Sequence, residues 1–121
     1  MEQDNKKNQQ LGQIKNMLML AVADNRFGDE ELAAIATVAA REQITPEEFN
    51  RVMDNPDSVT IELPTDPDSK RRYLKDMVTL MIIDGELHED EMAMCKIYAM
   101  ALGYAPTVAN EMLAEIIDEI G

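Results

Sequence analysis

The chain has 121 residues, 45% of them hydrophobic, and its 24 acidic side chains outweigh 11 lysines and arginines to give a net charge of −13. This length and hydrophobic content predict one folded domain and exclude global disorder. The negative charge disfavours nonspecific binding to nucleic acid or anionic membranes, both of which need basic patches. A single cysteine, Cys95, rules out an intramolecular disulfide. A polar start and the lack of a long apolar run lead us to expect a cytoplasmic protein without an integral membrane segment.

The first half of the chain carries the periodicity of three helices. Residues 1–8 are expected to form a mobile polar arm before a domain that occupies residues 9–121. Apolar side chains then recur every three or four residues from about Gln9 to Asp24, and a second helix follows over about 29–42. The start of the third helix is marked by an N-cap, a first-turn proline and a capping-box glutamate: Thr45, Pro46 and Glu48.

A proline-rich stretch separates the two halves. The third helix should end before Pro56, since a residue that precedes proline is steered away from helical geometry. Residues 56–65 contain a short β-favouring run with no second strand to pair with. We therefore expect an extended connection on the surface, with Ile61 and Leu63 turned inward.

The second half repeats the helical pattern. Thr65 or Asp66 can cap a fourth helix whose first turn contains Pro67. A fifth helix is expected from about His88 to Leu102, and Gly103 is a natural residue to close it. A sixth begins near Pro106. Together these signals predict an all-α, compact multi-helix bundle of about six helices.

The two halves align without a gap when the chain is shifted by sixty residues. Nine of the 36 columns from 15 to 50 are identical, where ordinary composition gives roughly two or three. The identical pairs are Lys15/Lys75, Met17/Met77, Leu20/Leu80, Asp24/Asp84, Glu31/Glu91, Ala33/Ala93, Ala39/Ala99, Pro46/Pro106 and Asn50/Asn110. This pattern predicts an internal duplication, with half-repeats over about 9–55 and 66–120 that bury their apolar faces against each other.

An acidic corner recurs in both halves, as "DNRFGDEE" (24–31) and "DGELHEDE" (84–91). Asparagine or glycine at its second position tolerates the left-handed backbone that ends a helix. Its final glutamate falls in the first turn of the next helix, where a carboxylate complements the helix dipole and accepts from a free N–H. Capping and turn formation therefore explain every position of the corner.

The second corner also resembles part of a calcium-binding EF-hand loop. Gly85, Leu87 and Glu91 have the spacing of loop positions 6, 8 and 12. Positions 1 and 3 would be Leu80 and Ile82, which cannot ligate a cation. A standard EF-hand is therefore excluded.

Another metal hypothesis stays open beside the capping interpretation. If the duplication brings the two corners together, their carboxylates supply the hard oxygen ligands that Ca²⁺ and Mg²⁺ prefer. The primary candidates are Asp24, Glu31, Asp84 and Glu91, and Glu30 and Asp90 are secondary candidates.

Other chemistries have weaker support. His88 is the one histidine and is interpreted as an exposed residue at a helix start, and Cys95 as a packed core residue. The basic cluster at 70–72 with Lys75 is interpreted as a solvated or ion-paired surface, too small to indicate nucleic-acid binding. We predict no enzymatic activity.

Two stretches, "LMLAVADNRFGDEELAAIATVAAREQITPEEF" and "LPTDPDSKRRYLKDMVTLMIIDGELHEDEMAMCKIYAMALGY", resemble the tellurite-resistance TerB-like proteins. The resemblance covers about residues 9–120 and implies a compact, internally duplicated helical fold. It also implies that clustered acidic residues bind divalent cations, and the matching positions of this chain are the four primary candidates at the corners. A role in stress-response assemblies is a further implication of the resemblance. The first corner departs from the pattern, because Asn25 replaces the usual glycine and Arg26 adds a positive charge.

The sequence thus favours a non-enzymatic acidic interaction module with a partner that presents a basic surface. Two alternatives remain. One is a metal-dependent enzyme that uses the same carboxylates. The other is a purely structural bundle that forms a homodimer through its methionine-rich helices.

Overall fold

The computed structural model describes residues 2–23, 28–83 and 89–120, which fold as six α-helices and one short 3₁₀ turn without any strand. The α-helices are α1 (Glu2–Ala23), α2 (Asp29–Arg41), α3 (Pro46–Asp54), α4 (Pro67–Met81), α5 (Glu89–Ala101) and α6 (Pro106–Ile120). The predicted all-α bundle is therefore confirmed. Within these ranges no helix is long and apolar enough to cross a membrane.

The first helix is longer than the sequence suggested. α1 begins at Glu2, so the arm expected over residues 1–8 is helical from its second residue onward. Glu2, Gln3, Lys6 and Lys7 favour helix by intrinsic propensity, although the segment has no apolar periodicity. The segment is also held to the bundle, because the amine of Lys7 lies 3.3 Å from the carboxylate of Glu48 in α3.

The predicted helix starts are confirmed where local capping chemistry marks them. At α3 the N–H of Glu48 donates to Thr45 Oγ1 at 3.2 Å, and the N–H of Thr45 donates to Glu48 Oε1 at 2.9 Å. At α4 the N–H of Ser69 donates to Asp66 Oδ2 at 2.8 Å. These bonds favour the charged carboxylate, so backbone N–H donors lower the pKa of Glu48 and of Asp66.

The helix boundaries recur at a spacing of sixty residues. α2 and α5 span 29–41 and 89–101, and α3 and α6 begin at Pro46 and Pro106. The same left-handed turn follows α2 and α5, with φ of 60° at Gln43 and 109° at Gly103. In each turn the next N–H bonds back to the helix, Ile44 to Ala39 at 2.9 Å and Tyr104 to Ala99 at 3.2 Å.

α1 and α4 pack side by side at the centre and run in the same direction. Near the middle of α1, Gln13 Nε2 donates to the carbonyl oxygen of Tyr73 in α4 at 2.9 Å. Further along α1, Met17 lines the same groove as Leu80 of α4. Residue numbers therefore increase in the same direction along both helices, which makes the helices parallel. Their inward residues are almost fully buried, as for Ile14 at 0% exposure. Both helices therefore lead to the same end of the molecule.

The connection between the halves lies against α1. A Cβ atom added to Gly12 would lie 3.1 Å from the backbone nitrogen of Glu62, so glycine permits this close approach. Leu63 is partly buried against the core as predicted. The inward orientation predicted for Ile61 is wrong, because its side chain remains 38% exposed.

Candidate functional site

Two acidic helix starts lie at the same end of the bundle. α2 and α5 begin a few residues after the ends of the co-directional helices α1 and α4. Their first turns, which we call the acidic end, consist of Asp29, Glu30 and Glu31 in α2 and of Glu89, Asp90 and Glu91 in α5. These carboxylates lie beside the positive ends of two helix dipoles, which stabilise them.

The two glutamates that the repeat places in equivalent positions have different surroundings. Glu31 is half-buried, and its Oε2 accepts from the N–H of Gly28 at 3.2 Å. This contact is the capping role expected from the sequence. Glu91 is only 4% exposed. Burial raises the pKa of the Cys95 thiol, and the nearby charge of Glu91 adds to that rise. The repeat did not predict the burial of Glu91.

The structure describes part of the proposed metal set. Glu30 and Asp90 are exposed at the acidic end, while Asp24 and Asp84 lie outside the described residues, as does His88. Within the described part of the chain, no group of three or more histidine, cysteine, aspartate or glutamate side chains forms an arrangement that could hold a metal ion. Metal binding at the corners stays a prediction.

Two surface grooves are lined by residues sixty positions apart. One groove lies between α2 and α4 and has a volume of about 470 Å³. The other, of about 330 Å³, lies between α1 and α5 beside the connection. Equivalent positions in the two grooves are Thr37 and Ile97, Thr79 and Met19, Arg41 and Ala101, Asp76 and Asn16, and Ala34 and Met94. The side chains therefore differ in polarity at positions that the sixty-residue shift relates.

The α2–α4 groove, called the polar groove, contains an ion pair. Arg41 Nη1 and Nη2 donate to the two carboxylate oxygens of Asp76 at 2.9 and 2.7 Å. These hydrogen bonds are the main reason that the pKa of Arg41 is raised. Asp76 is 7% exposed, so the guanidinium satisfies a carboxylate that would otherwise be buried without a partner. Arg72 lies in the same groove and reaches Glu42 at 3.4 Å.

The α1–α5 groove, called the apolar groove, has no charged side chain in its described lining. Its walls include large apolar residues that remain in contact with solvent, with exposed fractions of 66% for Ile97, 47% for Met19 and 38% for Ile61. The homodimer alternative expected an apolar surface on the methionine-rich helices, but the sequence did not place that surface between α1 and α5. Aligning the halves shows one signal that would have revealed it, because Ile97 and Met19 occupy columns that hold threonine in the polar groove.

The basic cluster at 70–72 is engaged with side chains of other elements. Arg71 lies 2.9 Å from the carboxylate of Glu119 in α6, and Arg72 reaches Glu42. The amine of Lys70 lies 6.0 Å from the centroid of the Tyr104 ring, at the outer limit of a cation–π contact. These contacts agree with the ion-paired interpretation of the cluster.

Cys95 is a core residue, as the sequence predicted. Its side chain is 0% exposed, and its Sγ lies 3.8 Å from the sulfur of Met81. Burial raises the pKa of Cys95 to about 12, so the thiol stays protonated near neutral pH. A nucleophilic cysteine needs the opposite environment.

Asn25 and Arg26, where the chain departs from the TerB-like pattern, lie outside the described residues. Comparison of the chain with protein-family models, characterised proteins and solved structures finds no match.

Proposed function

We propose that this protein is a non-enzymatic interaction module that uses its acidic end to bind a basic partner surface. The observation that carries the proposal is the shared direction of α1 and α4, which brings the acidic first turns of α2 and α5 to one end of the bundle. A net charge of −13 adds long-range attraction for cations and basic surfaces. The protein would act by holding its partner, with no bond made or broken.

The direct test uses a fluorescent lysine-rich peptide as the basic probe. Fluorescence anisotropy at low ionic strength measures its Kd for the full chain and for the double variant Glu30→Gln, Asp90→Asn. Both positions are exposed, so the substitutions leave the core intact. We expect a loss of at least fivefold in affinity, and weaker binding by the unmodified chain as salt is added.

The matched control removes the same charge elsewhere. Glu111→Gln combined with Asp118→Asn neutralises two exposed acids of α6. If this variant loses as much affinity as the acidic-end variant, binding depends on net charge alone and the acidic end is not a site. Absence of binding by the unmodified chain also overturns the proposal.

We further propose that the corners hold one divalent cation, with Asp24, Glu31, Asp84 and Glu91 as ligands. Calorimetric titration with Ca²⁺ and with Mg²⁺ measures this directly. A bound ion should stabilise the fold by about 2.7 kcal/mol at a concentration 100 times its Kd, and Asp84→Asn should remove that gain. No heat and no thermal stabilisation at millimolar metal would exclude the site and leave the basic-partner proposal intact.

We also propose that the two halves descend from one duplicated unit of TerB-like type. The sixty-residue spacing of helix bounds, of left-handed turns and of groove positions supports the duplication. A stress-response assembly is the setting that the resemblance implies. An experimental structure that includes both corners provides the test, since superposing residues 9–55 on 69–115 should overlay α1, α2 and α3 on their counterparts.

A further inference from the structure

We propose that the apolar groove is the docking site for a cationic amphipathic helix of the partner. This inference rests on the proposed function, because it names the place and the secondary structure through which a basic partner is held. The groove has Met19 of α1 on one wall and Ile97 of α5 on the other. Both are large apolar side chains that remain exposed to solvent. Methionine adapts its shape readily and is common where helices bind in grooves.

The length of the groove matches a short helix. Along α5 its wall is formed by four residues that share one helical stripe: Met94, Ile97, Tyr98 and Ala101. Asp90 continues that stripe one turn earlier, so the stripe from 90 to 101 is about 16 Å long at 1.5 Å per residue. A guest helix of roughly three turns, with apolar residues at i, i+3, i+4 and i+7, covers that length.

The charges around the groove favour a basic guest. Exposed Asp90 stands at one end of the groove, one helical turn before Met94. Glu62 is next in the chain to Ile61 and Leu63, but its carboxylate accepts from Asn8 at 3.4 Å and lines a separate hollow. Neither Lys96 nor Lys15 offsets the charge of Asp90. At about 100° per residue, Lys96 lies about 200° around α5 from Met94. Lys96 is therefore on the side of the helix away from the groove wall.

Lys15, on α1, is directed to another contact. Its amine donates to the carbonyl oxygen of Val59 at 2.9 Å, and Val59 belongs to a separate surface hollow. A guest helix with lysine or arginine at the end of its apolar face that lies nearest the start of α5 thus meets Asp90, and the net charge of −13 adds attraction at longer range.

A second copy of this chain fits less well. Each copy carries a net charge of −13, and that much like charge opposes self-association at ordinary ionic strength. A stable dimer also buries about 800 Å² on each partner, which takes about 20–30 residues a side, whereas nine described residues line the groove. A single inserted helix satisfies the groove without bringing two acidic surfaces together.

The test compares three synthetic peptides of roughly 14 residues, long enough for helix formation on binding. One has an apolar stripe and lysines on its polar face, the second has the same stripe with glutamates, and the third has the lysines in a scrambled order without a stripe. Anisotropy titrations against the full chain should give at least tenfold tighter binding for the first peptide than for either of the others.

Two groove variants locate the binding. Ile97→Asp adds a negative charge, which by itself attracts the basic peptide, so a tenfold loss of affinity reports the lost apolar contact. Met19→Ser tests the opposite wall without a charge change. Val108→Asp is the matched control, because Val108 is an exposed apolar residue of α6 outside the groove. Circular dichroism should show the same helicity and melting temperature for all variants.

The outcomes separate this inference from the proposed function. Equal affinity for the striped and scrambled basic peptides, unaffected by Ile97→Asp, overturns the groove and leaves the acidic-end function standing. Failure of every basic peptide to bind overturns both. Tight binding of the glutamate peptide refutes the charge complementarity. A dimer in light scattering that Ile97→Asp dissociates, without peptide binding, assigns the groove to a second copy and also refutes the proposal.

Discussion

A buried hydrogen-bond chain at the interface between the halves gives a quantitative prediction. The side chain of Gln13 is 1% exposed, donates to the Tyr73 carbonyl oxygen at 2.9 Å and accepts from the Tyr98 hydroxyl at 2.7 Å. Gln13→Leu keeps the approximate volume but removes the acceptor of the Tyr98 hydroxyl. The Tyr73 carbonyl retains its helical bond within α4. A stranded buried hydroxyl costs about 1–3 kcal/mol, which is the expected fall in the free energy of unfolding.

A double-mutant cycle isolates this bond from packing effects. Tyr98→Phe strands the oxygen of Gln13 and should also cost about 1–3 kcal/mol. The double variant Gln13→Leu, Tyr98→Phe leaves neither group stranded, so its cost should be smaller than the sum by about 1–2 kcal/mol. Urea denaturation followed by circular dichroism measures all four free energies. Tyr104→Phe, at a partly exposed tyrosine, is the control and should change stability by less than about 0.5 kcal/mol.

If the costs of the two single substitutions add within about 0.5 kcal/mol, Gln13 and Tyr98 are not coupled and the hydrogen bond between them does not stabilise the fold, since independent sites behave in that way. A double variant that does not fold cooperatively would instead show that the polar chain determines how the halves pair.

Three further predictions concern local features. Gln43 and Gly103 both have a left-handed backbone, which glycine adopts more easily than other residues. Gln43→Gly should therefore raise the free energy of unfolding by up to about 1 kcal/mol, and Gly103→Ala should lower it by about 1–2 kcal/mol. Opposite signs in urea titrations would contradict this. The Thr45 N–H lowers the pKa of Glu48 from its usual 4.5, so the stabilisation is present above about pH 4.5 and is lost as the pH falls through the lowered pKa. The stability difference between the unmodified chain and Glu48→Gln should therefore shrink in acid titrations. With a pKa of about 12 instead of 9.0, Cys95 has about a thousandfold less thiolate, so thiol labelling at pH 8 should be slow until urea unfolds the chain.

Short sequence signals such as caps predicted where helices begin, but they did not predict which side chains are exposed on the surface. Thr45, Pro46 and Glu48 mark the start of α3 because a cap is decided within four residues of sequence. The first helical turns of α1 were missed because only propensity marks them. Ile61 was expected inside, but its exposure depends on how closely the connection approaches Gly12, which is a tertiary contact.

In the candidate site, too, the sequence predicted local features but not those that depend on tertiary packing. The repeat predicted that Glu31 and Glu91 occupy equivalent helix starts, and they do. It could not predict that Glu91 is buried, because that depends on the side chains packed around each helix start. The polar groove is likewise formed by residues of α1, α2 and α4, and the apolar groove by residues of α1, the connection, α4 and α5, so neither is visible as a contiguous motif.

The dependence of the halves on each other gives residues 55–66 a thermodynamic role. Gln13 and Tyr73, one from each half, meet at the centre, and one core cluster contains residues of both halves. The connection is therefore a tether, which keeps each half at an effective concentration in the millimolar range beside the other. Cutting the chain there would convert folding into a bimolecular association. The melting temperature of the mixed fragments would then rise with their concentration, whereas that of the intact chain would not.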